Sequence, residues 1–242
     1  MRICAAQTRP FRGDVERNIE SHRRLIALAI ANGADTIFFP ELSITGYELV
    51  LAGELATHPD DSRLDVFQEI ADSRQITIGV GLPTRNMPRP AITMVLFQPH
   101  QARQTYSKKY LHTDEEPFFS SGHSSVGLLG GASNIALAIC YEISVPEHAE
   151  QASESGAQIY VACVAKTVRG VEQAAQRLSD IAKRYSMMVL MSNCVGESGD
   201  GVCGGRSSVW NERGLLLGQL NDTGEGVLIF DTDTQEVIRQ TI

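Results

Sequence analysis

Short, almost wholly apolar runs recur along this chain, and each is followed by a helix-period stretch or a turn before the next begins. In the first half these runs are Ile3–Gln7, Thr36–Phe39, Ile76–Leu82, Ile92–Phe97 and Gln104–Lys108; in the second they are Asn134–Ile139, Ile159–Val164 and Met187–Ser192. Stretches such as Val189–Met191 lack the polar alternation of a half-exposed strand, which predicts sheets buried on both faces. Helices fill the intervals. One starts at about Asp14, an N-capping residue, with Ile19, Leu25, Ile26, Ala29 and Ile30 on one face and Gly33 as its stop. A weaker one covers about Arg63–Ser73. Pro146–Ser155 has Pro at its start and Gly156 at its end, and Val171–Tyr185 is the last. Ser207–Trp210, Leu215–Leu220 and Val227–Phe230 then read as strands joined by Asn/Gly turns. The pattern predicts an α/β protein with helix-covered sheets. With no interior linker, low-complexity segment or short repeat, residues 1–242 read as a single domain.

Composition narrows the function classes. A net charge of −8, with no basic block longer than Arg23-Arg24 or Lys108-Lys109, argues against a nucleic-acid partner or an anionic membrane surface. No stretch reaches the eighteen or so apolar residues of a spanning helix, and the N-terminal segment lacks a secretory apolar region. A cytosolic protein is expected. Five cysteines (Cys4, Cys140, Cys163, Cys194, Cys203) form no C-x-x-C pair, so free thiols are expected rather than a disulfide framework or a cysteine-rich zinc site. The six histidines show no H-E-x-x-H. Gly199–Gly204 fits G-x-G-x-x-G, but a dinucleotide fingerprint must open a helix, and the next segment reads as a strand.

Three apolar runs end on a chemically capable residue: Thr-Ile-Phe-Phe-Pro on Glu41, the run through Tyr106 and Ser107 on Lys108 and Lys109, and Ile-Ala-Leu-Ala-Ile on Cys140. Strand carboxyl ends are where α/β folds bind ligands. The three residue types also suit one reaction. A carboxylate takes the thiol proton and later protonates a leaving amine, and an ammonium stabilises thiolate and oxyanion. Taken singly, each has a plainer explanation: a core cysteine, a solvated glutamate after Pro40, edge lysines.

The words around these residues change that balance. Gly33-Ala-Asp-Thr-Ile-Phe-Phe-Pro-Glu-Leu-Ser-Ile-Thr-Gly-Tyr47 resembles the glutamate signature of the nitrilase (carbon–nitrogen hydrolase) superfamily. Tyr106-Ser-Lys-Lys-Tyr-Leu111 resembles its lysine signature, and Ile139-Cys-Tyr-Glu-Ile-Ser-Val-Pro-Glu147 its cysteine signature. All three stand in the family's order. Gly79-Val-Gly-Leu-Pro83 and Gly204-Gly-Arg-Ser-Ser208 are weaker echoes.

The resemblance implies a four-layer α-β-β-α sandwich that pairs into homodimers or higher homo-oligomers. It implies a Glu41, Lys108, Cys140 triad acting on a small amide or N-carbamoyl compound through a thioester, with the backbone N–H of Tyr141 on the oxyanion. No metal or organic cofactor is implied. Spacing to Leu111 selects Lys108 over Lys109. A second glutamate that supports the lysine or substrate corresponds to Glu115, with Glu116 as the alternative. Glu142 is expected to be structural. The family's Arg-Ala-x-Glu-Asn helix motif is not recognisable between Arg177 and Tyr185, and Cys163–Arg169 does not single out one subfamily. Lys166 and Arg169 are candidates for recognising a substrate carboxylate, with solvated loop cations as the alternative. Nitrile hydrolysis or acyl transfer to an amine would use the same triad. A non-catalytic binding protein would be expected to have lost a triad member. A flavodoxin-like nucleotide binder would need a phosphate loop that the chain lacks.

Overall fold

The computed structural model describes residues 1–123, 127–129, 134–199 and 201–242. In chain order the elements are β1 (Arg2–Gln7), α1 (Val15–Ala31), β2 (Thr36–Phe38), the short α2 (Ala52–Leu55), α3 (Asp65–Arg74), β3 (Thr77–Thr84), β4 (Ala91–Phe97), β5 (Gln104–Ser107), β6 (Gly127–Leu129) and β7 (Ile135–Ile139). There follow α4 (Pro146–Glu154), β8 (Ile159–Cys163), α5 (Val171–Tyr185), β9 (Met188–Ser192), β10 (Val195–Ser198), β11 (Gly201–Gly204), β12 (Ser208–Trp210), β13 (Leu216–Gln219), β14 (Gly226–Asp231) and β15 (Val237–Thr241). Each anticipated strand and helix is present, with ends shifted by a residue or two, as expected of helix and strand ends.

Among the described residues the strands form two large sheets and a two-stranded hairpin. One sheet has the order β15-β14-β1-β2-β3-β4-β5, the other β13-β12-β9-β8-β7-β6, and β10 pairs with β11. Period-2 alternation sorts the first sheet's side chains. Cys4 and Ala6 of β1 face outward with Ile37 and Val80, meeting Ile19, Leu25 and Ile26 of α1 and Phe67 of α3. Ile3 and Ala5 face inward with Phe38, Met94 and Leu96, meeting Ala138 of β7, Val161 of β8 and Leu190 of β9. The second sheet is covered by Ala149 and Ala152 of α4 and by Ala174, Leu178 and Ala182 of α5. The layers are therefore helix, sheet, sheet, helix, as the resemblance implied.

Strand direction places the candidate residues. β2 and β3 are parallel, β4 is antiparallel to β3, and β5 is antiparallel to β4, so β2 and β5 share one direction. Their carboxyl ends deliver Glu41 and Lys108 to one edge. In the facing sheet β7 runs parallel to β8, and its carboxyl end delivers Cys140. The Glu41 loop lies directly on Gly81 of β3, where an added Cβ would come within 2.5 Å of Pro40 O and 2.6 Å of Leu42 N. That approach gives the Gly-Val-Gly echo its physical meaning.

The β10–β11 hairpin occupies the Gly-rich stretch that resembled a dinucleotide fingerprint. Val195–Ser198 and Gly201–Gly204 are strands, Asp200 lying outside the described set, and the strand β12 follows.

Candidate active site

Glu41, Lys108 and Glu115 are buried to within 1% of full burial. Lys108 Nζ donates to Glu41 Oε1 and to Glu115 Oε1, both at 2.7 Å. Glu115 is itself fixed: Oε1 also accepts from Tyr47 OH at 2.8 Å, and Oε2 accepts from the backbone N–H of His112 at 2.8 Å. Glu116 is exposed, so Glu115 is the glutamate brought to the cluster. Strand alternation separates the two lysines in the same way. Lys108 is inside, whereas Lys109 is half-buried with its ammonium 5.1 Å from the Tyr110 ring.

Two carboxylates around one ammonium leave a buried surplus of negative charge. Burial raises the pKa of Glu41; Lys108 opposes the rise and Glu115 adds to it, and the net direction is upward. Burial alone would depress Lys108, but the charges of Glu41, Cys140 and Glu115 outweigh it and hold the ammonium protonated. Glu41 Oε2 has no nitrogen or oxygen partner. The neighbouring Cys140 thiol counters part of the upward shift.

Cys140 opens a 3₁₀ turn, Cys140–Ser144, with φ at +44°. A non-glycine residue there stores on the order of 1–3 kcal/mol and persists only where its surroundings fix it. Glu142 supplies much of that fixing. Its fully buried carboxylate accepts from the backbone N–H of Ile139 (2.8 Å) and of Lys109 (2.7 Å), and from Tyr106 OH (2.7 Å). One side chain thus ties the end of β5 to the end of β7. Tyr106 spends its proton on Glu142, so its oxygen accepts from His148 Nε2 at 2.8 Å, and His148 Nδ1 accepts from Tyr160 OH at 2.8 Å. Burial lowers the His148 pKa to about 4, which keeps the imidazole neutral in this chain of bonds. Glu142 therefore has the structural surroundings expected of it.

The Cys140 thiol is pushed up to about 11, by burial first and then by the Glu41 charge, while Lys166, Lys108 and the backbone N–H of Ala165 pull it down. A thiol in this state is not a resident thiolate at neutral pH; it needs a base. Tyr141 follows it at half-burial, its ring edge-on to His112 at 5.1 Å. Lys166 is half-buried within electrostatic reach of the sulfur, and Arg169 is exposed. A cavity of about 500 Å³ adjoins the cluster through Tyr47 and Ala165; Leu49, Val50 and Phe118 give it apolar wall, and Arg12, Glu48 and Asp114 charged rim. Arg12 is already engaged, 3.2 Å from Glu48.

Sequence reasoning assigned no role to three residues found here. Tyr47 closes the glutamate signature and was legible as part of that motif. Ala165 contributes only a backbone N–H. Asn193, just after β9, shapes the Lys166 loop: its Oδ1 accepts from Lys166 N at 2.8 Å, and its Nδ2 donates to Lys166 O at 3.1 Å.

Fold and cluster together define a class: a four-layer α/β protein in which a buried thiol, two carboxylates and an ammonium gather at the strand ends. Known proteins sharpen this. The profile of the carbon–nitrogen hydrolase family matches residues 2–241. An (R)-stereoselective amidase from a Pseudomonas species is 24% identical over 246 residues, covering 99% of this chain and 88% of that protein. A 2-oxoglutaramate amidase from Bacillus subtilis is 26% identical over 208 residues, covering 84% and 80%. An amidase from Nesterenkonia sp., solved as a variant in complex with butyramide, superposes with a TM-score of 0.87 at 25% identity, covering 97% of this chain and 92% of that one. Another variant of that amidase carries the acetamide moiety of fluoroacetamide covalently on its active-site cysteine. The chain belongs to the carbon–nitrogen hydrolase family and is an amide-hydrolysing enzyme. Among the described residues no helix is long and apolar enough to cross a membrane.

Proposed function

We propose that this enzyme hydrolyses the C–N bond of a small, non-peptide primary amide through a thioester on Cys140, with Glu41 as proton carrier and Lys108 as the oxyanion's cation. The observation that carries the reading is the division of Glu41's two oxygens. Oε1 is held by Lys108 at 2.7 Å, and Oε2 is free of any nitrogen or oxygen partner. Glu41 Oε2 takes the thiol proton as Sγ attacks the amide carbonyl. The oxyanion rests on Lys108 and the backbone N–H of Tyr141. Glu41 returns the proton to nitrogen, the C–N bond breaks, and ammonia leaves. Water then gives a proton to Glu41 and attacks the thioester; collapse of that second tetrahedral species returns the proton to sulfur and releases the acid. Glu115, fixed by Tyr47 and His112, keeps Lys108 pointed at the reacting carbon, and Lys166 adds positive potential at the sulfur.

Short aliphatic acyl groups suit the cavity, whose walls include Leu49, Val50 and Phe118 and whose Arg12 is occupied by Glu48. The relative that binds butyramide supports the same class. Ammonia release from a panel containing a short aliphatic amide, an ω-amide with a distal carboxylate, an N-carbamoyl amine and a nitrile tests this. The aliphatic amide is expected to give the highest kcat/KM. Preference for the ω-amide, lost in Lys166→Ala, would move the assignment to carboxylate recognition by Lys166. Preferential capture of the acyl group by added hydroxylamine would make the enzyme an acyltransferase. Loss of ammonia release in Glu41→Gln is required in every case.

Pairing into homodimers belongs to the same proposal. Ile143, Val145, Ala149, Ile181 and Tyr185 form an open groove along α4 and α5 that suits a second copy. Light scattering that finds only monomer at micromolar concentration would contradict it. Five free thiols suit a reducing, cytosolic setting.

A further inference from the structure

We propose that His22 is a positioning residue for the reaction, bracketing Glu41 from α1 by stacking on Phe39 and hydrogen bonding Ser43; this rests on the reading of Glu41 as the proton carrier. His22 is fully buried on the outer face of the first sheet and touches no reacting group. Its ring lies on Phe39, two residues before Glu41, with centroids 4.0 Å apart and planes 23° from parallel. Its Nε2 lies 2.9 Å from Ser43 Oγ, two residues after Glu41, and its Nδ1 lies 2.7 Å from Asn18 O.

The partners fix the proton. Asn18 O can only accept, so Nδ1 carries the hydrogen, and Nε2 of the neutral ring accepts from the Ser43 hydroxyl. Burial keeps the ring neutral, its pKa lowered to about 3, so this tautomer holds across the working range. One helical turn earlier, Asn18 Nδ2 donates to Ile44 O at 2.9 Å. The loop needs such support. Leu42, between Glu41 and Ser43, sits at φ +50°, a strained setting for a branched side chain. Glu41 must also hold Oε2 in place with no hydrogen bond of its own. His22 grips both sides of the residue whose sub-ångström placement governs proton transfer.

The test compares wild type, Glu41→Gln, His22→Phe, His22→Gln, Ser43→Ala and His22→Phe/Ser43→Ala by steady-state kinetics on the preferred amide, with melting temperature alongside. His22→Phe keeps an aromatic stack and loses both hydrogen bonds; kcat is expected to fall tenfold or more with KM within twofold. His22→Gln restores an acceptor near the Nε2 position and should regain most of the loss. Ser43→Ala should lower kcat in the same manner, and the double variant should be no slower than His22→Phe. A His22→Phe enzyme that melts earlier yet keeps wild-type kcat would overturn the proposal, as would losses that simply multiply in the double variant. Should His22→Phe not fold, Ser43→Ala decides alone: reduced kcat at constant KM supports the proposal and unchanged kcat overturns it. Wild-type turnover that survives Glu41→Gln would overturn the parent reading and this one with it, whereas Glu41-dependent turnover indifferent to His22 and Ser43 overturns this one only.

Discussion

Replacing Lys108 by methionine keeps the unbranched side chain as far as Cε and removes the one charge that balances Glu41 and Glu115. Its Nζ is 2.7 Å from an oxygen of each, and all three side chains are buried. At an effective dielectric of about 20 each such contact is a Coulomb interaction of roughly 6 kcal/mol, but desolvation offsets most of it. Removing one partner of a buried pair leaves a net loss of about 3–5 kcal/mol. In a chain of this length that lowers Tm by about 10 °C. The loss depends on pH. In the variant Glu41 loses the cation that opposed its raised pKa, so the folded state binds a proton there more readily than the unfolded chain does. The folded form therefore gains relative stability as pH falls, and the deficit is largest at neutral pH and shrinks toward pH 5. If Lys108 holds the oxyanion as proposed, activity falls further, since losing one oxyanion donor alone costs about 10²–10³ in kcat. Lys109→Ala is the internal control. Its backbone N–H to Glu142 survives, and only a cation over the Tyr110 ring is lost, about 0.5–1 kcal/mol. Urea melts at pH 5 and 7.5 with ammonia release measure both variants. Turnover retained in Lys108→Met but abolished in Lys109→Ala, or a Lys108→Met stability equal to wild type at pH 7.5, would refute the reasoning.

Three further outcomes follow from the same geometry. Glu142→Gln converts a buried carboxylate with three strong donors into an amide that cannot accept from all of them; it should cost about 2 kcal/mol, a Tm loss of about 4–8 °C by calorimetry, and a Tm within 1 °C of wild type would contradict the tie between β5 and β7. The pH profile of kcat/KM should rise through an acid limb lying above the ordinary glutamate value of about 4.3, because burial raises Glu41 and the base works only when deprotonated; a rate that instead climbs steadily toward pH 11 would indicate direct thiolate formation without Glu41. Gly81→Ala places a Cβ against Pro40 O and Leu42 N, so a folded variant should lose at least tenfold in kcat by displacing Glu41, and wild-type kcat would show the loop to be compliant.

Much of this was legible in the chain. Strand ends followed by Glu41, Lys108 and Cys140 marked the candidate cluster because ligand chemistry gathers at strand carboxyl ends, and motif spacing chose Lys108 over Lys109, whereas Glu115 and Glu116 stayed open alternatives until burial set them apart. Other features left no comparable trace. β15 has a mostly exposed outer surface and so lacks apolar alternation. The β10–β11 hairpin is built from a Gly-rich stretch whose folding depends on backbone turns rather than on side-chain pattern. Glu142 was expected to be structural, but its partners were not legible: the meeting of β5 with β7, distant in sequence, supplies the Tyr106 hydroxyl and the Lys109 N–H. His22 carries no sequence signal of its own, and the role proposed for it depends on Phe39 and Ser43, about twenty residues away.

The central claim, that an acyl group passes through Cys140, is tested most directly by the intact mass of the enzyme. Wild type and Cys140→Ala are mixed briefly with short aliphatic amides and quenched in acid. An added mass equal to the acyl group is expected on wild type alone, mapping to Cys140, with no ammonia released by the variant. Ammonia release that continues in Cys140→Ala, or an adduct that maps to another residue, would contradict it.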